Sequence, residues 1–392
     1  MLKLKDLNKL KLLVFGYLNW TTIFLVVPSA LLFFANIYLF DYLDEKIYFL
    51  FGQIMIFISI QNSIGALAFE QLIIRNSGGE KRITLYFNII SYSFGAIALT
   101  SFILSSVINI NVSFVVLFLV FFTTGLNMTI SKVFKLLKKT ELTTAITNFW
   151  KIFPVFFLLY KDFEAVLWGL VFINALATIY SFCVLFYMKD SVLFKRKVPF
   201  NTLFNQQTGF LLSLTTMTVI SFFDKILVYK NFSVEVANEY FFLFTLFTPI
   251  SIFHNLNNIK YVALFRERID IKLMRKETAR QTSLFVILII PILTSIPFLL
   301  DLDLNILFIV ISFSLISLIR LKYSVFSSIL SLNLGKKELN TIRIYSIMVL
   351  ASYFVLYNIK IGFITLLLCF TSFWVIRLLL YKKMSKNLLW KP

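Results

Sequence analysis

Four basic residues lie inside stretches of sequence that are otherwise apolar enough to cross a membrane. They are Lys132, Lys151, Arg320 and Lys322. A cation at membrane depth is costly, so it usually faces an interior cavity or extends its charge to the membrane surface. Extension to the surface would explain Lys132 and Lys322, which occupy comparable places in the two halves of the chain, better than it explains Lys151. A ring of these cations in a low-dielectric cavity would bind a diphosphate or another anion.

A carboxylate and a further cation stand side by side late in another apolar stretch, as Asp224 and Lys225. Neighbouring residues on a helix point about 100° apart, so the two are not expected to face each other, and we expect each to find its partner on a different helix. Glu70 closes a similar stretch, five residues before Arg75. An interfacial Glu70–Arg75 ion pair is one interpretation. The other, which extends to Asp224 and Lys225, is a role in ion coupling or gating, because ionisable groups inside membranes often carry protons or ions.

Uncharged polar residues form two matched groups. The segment ISIQNSIGALAFE, which contains Gln61 and Asn62, is echoed by ISIFHNLNNIKYVALFRE, which contains His254 and Asn255. Amide side chains can bind sugar hydroxyls, which would make these residues substrate ligands, or they can hold one helix against another. His254 is the only histidine of the chain and could be protonated near neutral pH. It is therefore a candidate for ion coupling, with a packing role as the alternative.

The composition of the chain is that of a protein dissolved in lipid. Hydrophobic residues make up 59% of the sequence, including 47 Phe, and the mean hydropathy is +0.87. A soluble domain of this size has no use for so much apolar surface. One His and two Cys cannot build a Cys/His metal cluster, and no Gly-rich phosphate loop is present. We therefore expect no metal, no cofactor and no enzymatic activity.

Twelve stretches are long and apolar enough to be membrane-spanning helices, which need about 20 apolar residues each. The fifth and eleventh are the weakest because they are short. They run over about 12–35, 47–69, 84–108, 113–134, 143–160, 165–188, 206–230, 239–262, 281–300, 304–326, 341–358 and 361–381.

Charge alternates between the connections of these spans. Basic clusters occupy the N-terminus, every second connection and the C-terminal tail, whereas the remaining connections are short and acidic, as at Asp41, Asp44 and Glu45. Basic loops stay in the cytoplasm, so both termini are expected inside and an even number of spans is required. The net charge of +19 is thus a topology signal, with some attraction to anionic lipids, and nucleic acid is not an expected partner.

Matched segments indicate that the second half of the chain repeats the first, with chance similarity among Phe- and Ile-rich segments as the alternative. The two segments that hold Gln61 and His254 are about 192 residues apart, and 138–142 resembles 336–339 at a similar offset. An internal duplication of six helices places both halves in the same orientation, related by a pseudo-two-fold axis along the membrane normal. The expected fold is therefore an all-α polytopic membrane protein with two six-helix bundles, 1–189 and 206–392, joined by a cytoplasmic loop at 190–205.

Two short motifs give the chain a family resemblance. The sequence AFEQLIIR (68–75) closes the second span, and FDKILV (223–228) leads into Glu239-Tyr240. With twelve spans and a doubled unit, the chain resembles the polysaccharide and O-antigen repeat-unit flippases of the multidrug/oligosaccharidyl-lipid/polysaccharide exporter superfamily. In that family the two positions commonly read aromatic-Glu and Asp-Arg, and the Asp-Lys found here is a mild departure.

The resemblance implies that the protein moves undecaprenyl-diphosphate-linked oligosaccharides from the cytoplasmic to the outer leaflet of a bacterial inner membrane by alternating access. Its partners would be the lipid-linked oligosaccharide, membrane lipids and other membrane proteins of polysaccharide assembly. Proton or ion exchange, or the membrane potential, could drive the cycle through Glu70, Asp224 or His254.

Other functions remain open at this point. A drug or cation antiporter of the same superfamily would need carboxylates in its cavity, whereas this chain has more basic than acidic residues at membrane depth. A polysaccharide polymerase or ligase typically has a long outer loop, and the outer connections here are short and acidic. A flippase for a peptidoglycan or teichoic acid precursor would differ only in its substrate.

Overall fold

A computed structural model describes most of the chain. It covers residues 20–76, 83–108, 112–137, 139–160, 162–188, 192–195, 200–247, 306–333, 336–359 and 361–389, with scattered residues between 272 and 295.

The described chain is almost entirely helical. The elements of the first half are α1 (Trp20–Tyr42), α2 (Glu45–Ile64), α3 (Phe69–Asn76), β1 (Ile83–Tyr86), α4 (Phe87–Val107), α5 (Phe114–Leu136), α6 (Thr140–Asn148), a 3-10 helix (Phe149–Leu158), α7 (Phe163–Tyr187) and β2 (Val192–Lys195). Those of the second half are α8 (Phe200–Asn231), α9 (Val234–Leu246), a π-helical turn (Phe285–Ile289), α10 (Ile306–Asn333), α11 (Lys336–Asn358) and α12 (Phe363–Leu389).

Eight of the described helices are long and apolar enough to cross a membrane: α1, α2, α4, α5, α7 and α10 to α12. The prediction of an all-α, multi-pass membrane protein is confirmed to that extent. The seventh predicted span corresponds to α8, and α9 begins the eighth. The remainder of the eighth and most of the ninth lie outside the described residues, so the count of twelve stays a prediction.

Helix α4 illustrates how these helices suit a lipid environment. Ser93 and Ser101 are buried, whereas Leu99 and Phe102 are more than half exposed. The buried hydroxyls donate to backbone carbonyls one turn earlier, as Ser101 does to Ile97 at 2.6 Å. Small residues therefore face the protein and large apolar ones face outwards, which is the packing pattern of helices in membranes.

The fifth predicted span is a broken helix. α6 runs directly into the 3-10 helix, which contains Pro154. Proline has no backbone N–H to donate, and its ring clashes with the carbonyl of the preceding helical turn, so it disfavours a regular α-helix there. A 3-10 helix rises about 2 Å per residue, so the two pieces together extend about 30 Å, comparable with the thickness of a hydrocarbon core.

The second predicted span, 47–69, is interrupted near its end. Helix α2 ends at Ile64, and Leu67 and Ala68 have positive φ values of 46° and 66° before α3 begins. Left-handed backbone is unfavourable for residues with a Cβ. Thr100 supports the turn by donating from Oγ1 to the carbonyl oxygen of Gly65 at 2.8 Å. The interruption places Glu70 in the first turn of a new helix.

A short parallel pairing joins two loops of the first half. Strand β1 pairs with β2 from Ile83 opposite Val192 to Tyr86 opposite Lys195. The strands lie before α4 and after α7, so the chain between them must return to the same side. The loops on either side of this segment, both basic, are thus brought to one face, as the charge alternation requires.

The chain forms two compact units. Unit 1 comprises Met1–Tyr38 and Phe57–Leu214, and unit 2 comprises Leu39–Ile56 and Thr215–Pro392. The boundaries fall inside α1, α2 and α8. The predicted bundles, 1–189 and 206–392, and the loop 190–205 stay a prediction.

Candidate functional site

The most strongly interacting charged residues lie in unit 2, on α8. Asp224 and Lys225 are 4% and 2% exposed, and Lys225 Nζ lies 2.8 Å from both carboxylate oxygens of Asp224. Lys225 also donates to the carbonyl oxygen of Ser221 at 2.8 Å. The prediction that these neighbours could not face each other is wrong. The flexible lysine side chain can turn its ammonium group back along the helix, although the two Cα–Cβ bonds diverge.

Helix α9 supplies the partners that were expected from a second helix. The Tyr240 hydroxyl donates to Asp224 Oδ2 at 2.8 Å. The ring of Phe244, one turn further on, lies with its centroid 3.8 Å from Lys225 Nζ. A phenol hydrogen bond stabilises a carboxylate, and an aromatic face attracts a cation.

A second cation approaches the same carboxylate from α10. Arg320 is half-buried and lies close enough to Asp224 and Lys225 to interact electrostatically with both. Its guanidinium lies over the ring of Trp374, 5.4 Å from the centroid. We call Asp224, Lys225, Tyr240, Phe244 and Arg320 the Asp224 cluster. It holds two cations and one carboxylate, so its net charge is positive.

A second cluster in unit 2 was missed by the sequence analysis. Arg377 on α12 is 1% exposed, and its guanidinium lies over the rings of Tyr323 and Tyr381, 5.1 and 4.9 Å from their centroids. We call Tyr323, Arg377 and Tyr381 the Arg377 cluster. The sequence feature that could have identified this cluster is the presence of an arginine, Arg377, inside the predicted span 361–381. It lies near the end of that span, where arginines commonly extend to the membrane surface.

Aromatic contacts connect the two clusters. The Tyr323 ring lies 6.0 Å from that of Trp374 and 4.8 Å from that of Tyr381. Arg320 contacts the same Trp374. Contacts between cations and rings therefore link α10 with α12. Lys322, which was predicted to act together with Arg320, is exposed and is not part of either cluster.

The cations predicted in the first half lie in unit 1 and are not joined to one another. Lys151 is half-buried in the 3-10 helix and donates to Ser29 Oγ on α1 at 2.9 Å. Lys132 is half-buried on α5. Lys132 and Lys151 therefore lie on different elements of unit 1. A common ring of Lys132, Lys151, Arg320 and Lys322 stays a prediction.

Gln61 and Asn62 lie near the end of α2 in unit 1. Gln61 is buried, donates from Nε2 to Ser101 Oγ at 3.1 Å, and packs where a side chain on Gly125 would collide with it. Gln61 Oε1 and Asn62 Oδ1 have no hydrogen-bond partner in the part of the chain that is described. Gln61 therefore contributes to helix packing while leaving an acceptor unused.

Glu70 is buried in the first turn of α3, where the helix dipole favours a negative charge. The side chain of its predicted partner Arg75 lies outside the described part of the structure. His254 and Asn255 lie outside it as well. The pairing of Glu70 with Arg75 and the matched roles of Gln61 and His254 stay predictions.

A polar network that the sequence analysis did not anticipate joins α5 and α7. Asn127 Nδ2 donates to the Asn174 carbonyl at 3.0 Å, Asn174 Nδ2 to Thr124 Oγ1 at 2.9 Å, and Thr178 Oγ1 to Asn127 Oδ1 at 2.8 Å. We call these four residues the amide clamp. Each amide is satisfied on both its donor and its acceptor side, which indicates a structural role.

The chemistry available in the described residues is therefore electrostatic. They contain no group of three or more His, Cys, Asp or Glu residues that could hold a metal ion. What the Asp224 and Arg377 clusters offer is positive charge with rigid hydrogen-bond donors at membrane depth, which suits the binding of an anion.

Comparison with known proteins adds no family to this description. No protein-family model matches the chain, and no curated protein sequence and no solved structure matches it either. The resemblance to the polysaccharide flippases consequently depends on the motifs around Glu70 and Asp224 and on the pattern of spans.

Proposed function

We propose that this protein is a flippase that carries polyprenyl-diphosphate-linked oligosaccharides, such as O-antigen or capsule repeat units, from the cytoplasmic to the outer leaflet. The observation that carries the proposal is the Asp224 cluster, in which Lys225 pairs with Asp224 and Arg320 lies within electrostatic reach of both. The cluster lies among helices of the membrane-spanning type. Such an excess of positive charge offsets the several kcal/mol that it costs to remove a diphosphate from water.

The two cations of the cluster have different parts in this proposal. Lys225 is held by Asp224, Ser221 and the Phe244 ring. Arg320 is half-buried, and its planar guanidinium matches two phosphate oxygens at once. An arriving diphosphate binds Arg320 first. Asp224 then keeps its ion pair with Lys225 and its hydrogen bond from Tyr240.

This arrangement favours an anionic substrate over a cationic drug. A cation exporter needs a carboxylate that is free to bind its substrate, whereas Asp224 already accepts from Lys225 and Tyr240. The protein is proposed to act as a transporter without a chemical step, in keeping with the pattern of spans and the family resemblance.

The wider architecture completes the proposal. Twelve spans form two six-helix bundles, 1–189 and 206–392, in a bacterial inner membrane with both termini in the cytoplasm. The β1–β2 pairing supports this topology, because it brings two basic loops to one face across α4, α5, the broken fifth span and α7. The polyprenyl tail remains in lipid while the head group passes through the protein.

Depletion of the protein in its own cells tests this function. We expect lipid-linked repeat units to accumulate on the cytoplasmic face and surface polysaccharide to be lost. Single repeat units that reach the surface unpolymerised would instead indicate a polymerase. Unchanged polysaccharide together with new sensitivity to cationic drugs would indicate an exporter and contradict the assignment of Arg320 as an anion ligand.

A further inference from the structure

Arg377 is a buried cation, and among the described residues only one of its three guanidinium nitrogens has a hydrogen-bond acceptor. Its Nη2 donates to the Tyr381 hydroxyl at 3.1 Å. In the part of the chain that the structure describes, Nε and Nη1 have no acceptor. Buried polar groups are nearly always hydrogen-bonded, so an exception of this kind points to a ligand.

The described surroundings of Arg377 provide aromatic faces but no negative charge. The rings of Tyr323 and Tyr381 attract the guanidinium. The one ion pair among the described residues is Lys225–Asp224, so Arg377 has no carboxylate there. Burying a charge without an opposite charge is unfavourable, and two aromatic rings offset only part of that cost.

The position of Arg377 indicates where its ligand comes from. Lys382 and Lys383 are exposed one to two turns further along α12, about 8 Å away along the helix axis. The charge alternation places this end of α12 at the cytoplasmic surface. Phosphate groups are the anions that are abundant there, and guanidinium and phenol groups are well suited to their oxygens.

We propose that Arg377, together with the hydroxyl of Tyr381, binds the phosphate group of an anionic ligand at the cytoplasmic end of α12. This site differs from the Asp224 cluster because no carboxylate among the described residues pairs with Arg377. The proposal does not require translocation, so it can fail or hold independently of the flippase function. The phosphate belongs either to a lipid head group or to a soluble phosphate compound.

Binding to the full-length protein in lipid nanodiscs tests the site. The probes are inorganic pyrophosphate, a short-chain polyprenyl diphosphate, and discs that contain phosphatidylglycerol in place of zwitterionic lipid. We expect R377Q to weaken binding of at least one probe about tenfold or more, since hydrogen bonds to charged groups are the strong ones. R377K should bind with intermediate affinity. The matched control is K46Q, which removes an exposed cation from α2 and should bind as the wild type does.

The pattern of losses identifies the source of the phosphate. An effect of R377Q on pyrophosphate indicates recognition of phosphate itself, whereas an effect limited to the two lipids indicates a head group. Thermal unfolding without ligand separates binding from packing, because removal of an unpaired charge should leave the midpoint unchanged or raise it. The proposal is overturned if the wild type binds none of the probes, or if R377Q binds them equally and only unfolds more easily. Should R377Q not fold, R377K combined with Y381F takes its place.

Discussion

The amide clamp of unit 1 and the two charged clusters of unit 2 differ in how their buried polar side chains are partnered. In the clamp, Asn127 and Asn174 are satisfied by each other and by two threonines. In unit 2, Lys225 pairs with Asp224 and Arg320 lies within electrostatic reach of the same carboxylate, whereas Arg377 has no carboxylate among the described residues. A satisfied network stabilises a fold, whereas an excess of one charge is tolerated where it serves a ligand.

This difference predicts that mutations in the two regions have different consequences. Changes in the amide clamp should affect stability and leave transport intact in the folded protein. Changes in the charged clusters should affect transport, with a stability effect only where an ion pair is broken. Four variants, ordered by the size of the expected effect, test the distinction.

The largest effect is expected from Asp224→Ala. This change leaves Lys225 buried without its carboxylate, and breaking one side of a buried ion pair typically costs about 3–5 kcal/mol. Denaturant unfolding of the purified protein measures the loss. The double variant D224N/K225M removes both charges and should restore most of the stability, because a buried pair is often no better than apolar residues of similar size. Transport should not return in the double variant. If D224A were as stable as the wild type, the ion pair would not be buried as described.

Arg320→Gln should produce the next largest effect, on transport rather than on stability. Loss of the guanidinium removes a charge-assisted contact to the diphosphate, and we expect the flipping rate to fall about tenfold or more. Arg320→Lys retains the charge but lacks the planar guanidinium group, so its flipping rate should lie between those of the wild type and R320Q. K46Q serves again as the control. A normal rate in R320Q would remove Arg320 from the substrate path.

Asn174→Ala should have a smaller effect, and on stability alone. Hydrogen bonds between membrane helices contribute about 0.6–1.7 kcal/mol, so unfolding should become easier by about 1 kcal/mol. The flipping rate per folded molecule should not change. A slower rate at unchanged stability would show that the clamp takes part in transport, and the contrast between the two regions would fail.

The smallest effect is expected from Ala68→Gly at the turn between α2 and α3. Glycine relieves the left-handed strain at φ 66° but increases the entropy lost on folding, so a net stabilisation of about 0.5 kcal/mol is expected. Thermal unfolding measures this gain. If A68G also slowed flipping, the strained turn would be part of the mechanism in unit 1.

The sequence predicted the parts of this structure that depend on composition and local pattern. Apolar stretches of sufficient length indicated the membrane helices, and charge inside them indicated Asp224, Lys225 and Arg320 as interior residues. The Asp224–Lys225 contact was predicted wrongly, because the angle between neighbouring residues on a helix neglects the reach of a lysine side chain.

Other features could not be predicted because they depend on tertiary contacts. Asn127 and Asn174 are 47 residues apart, and nothing local pairs them. Gly65 directly follows α2 and marks the turn, but the left-handed backbone falls on Leu67 and Ala68, residue types that rarely adopt it. Arg377 could have been found, since its charge lies inside a predicted span, but its tyrosine partners become visible only in the structure.

Translocation of matched lipids in proteoliposomes tests the central claim most directly. The same labelled saccharide is attached to a short polyprenyl chain either through a diphosphate or through an uncharged ether, and its appearance in the opposite leaflet is followed by quenching of the label. We predict that the wild-type protein moves the diphosphate-linked lipid and leaves the uncharged one in place. Equal movement of both lipids, or movement of neither together with transport of a cationic amphiphile, would contradict the account.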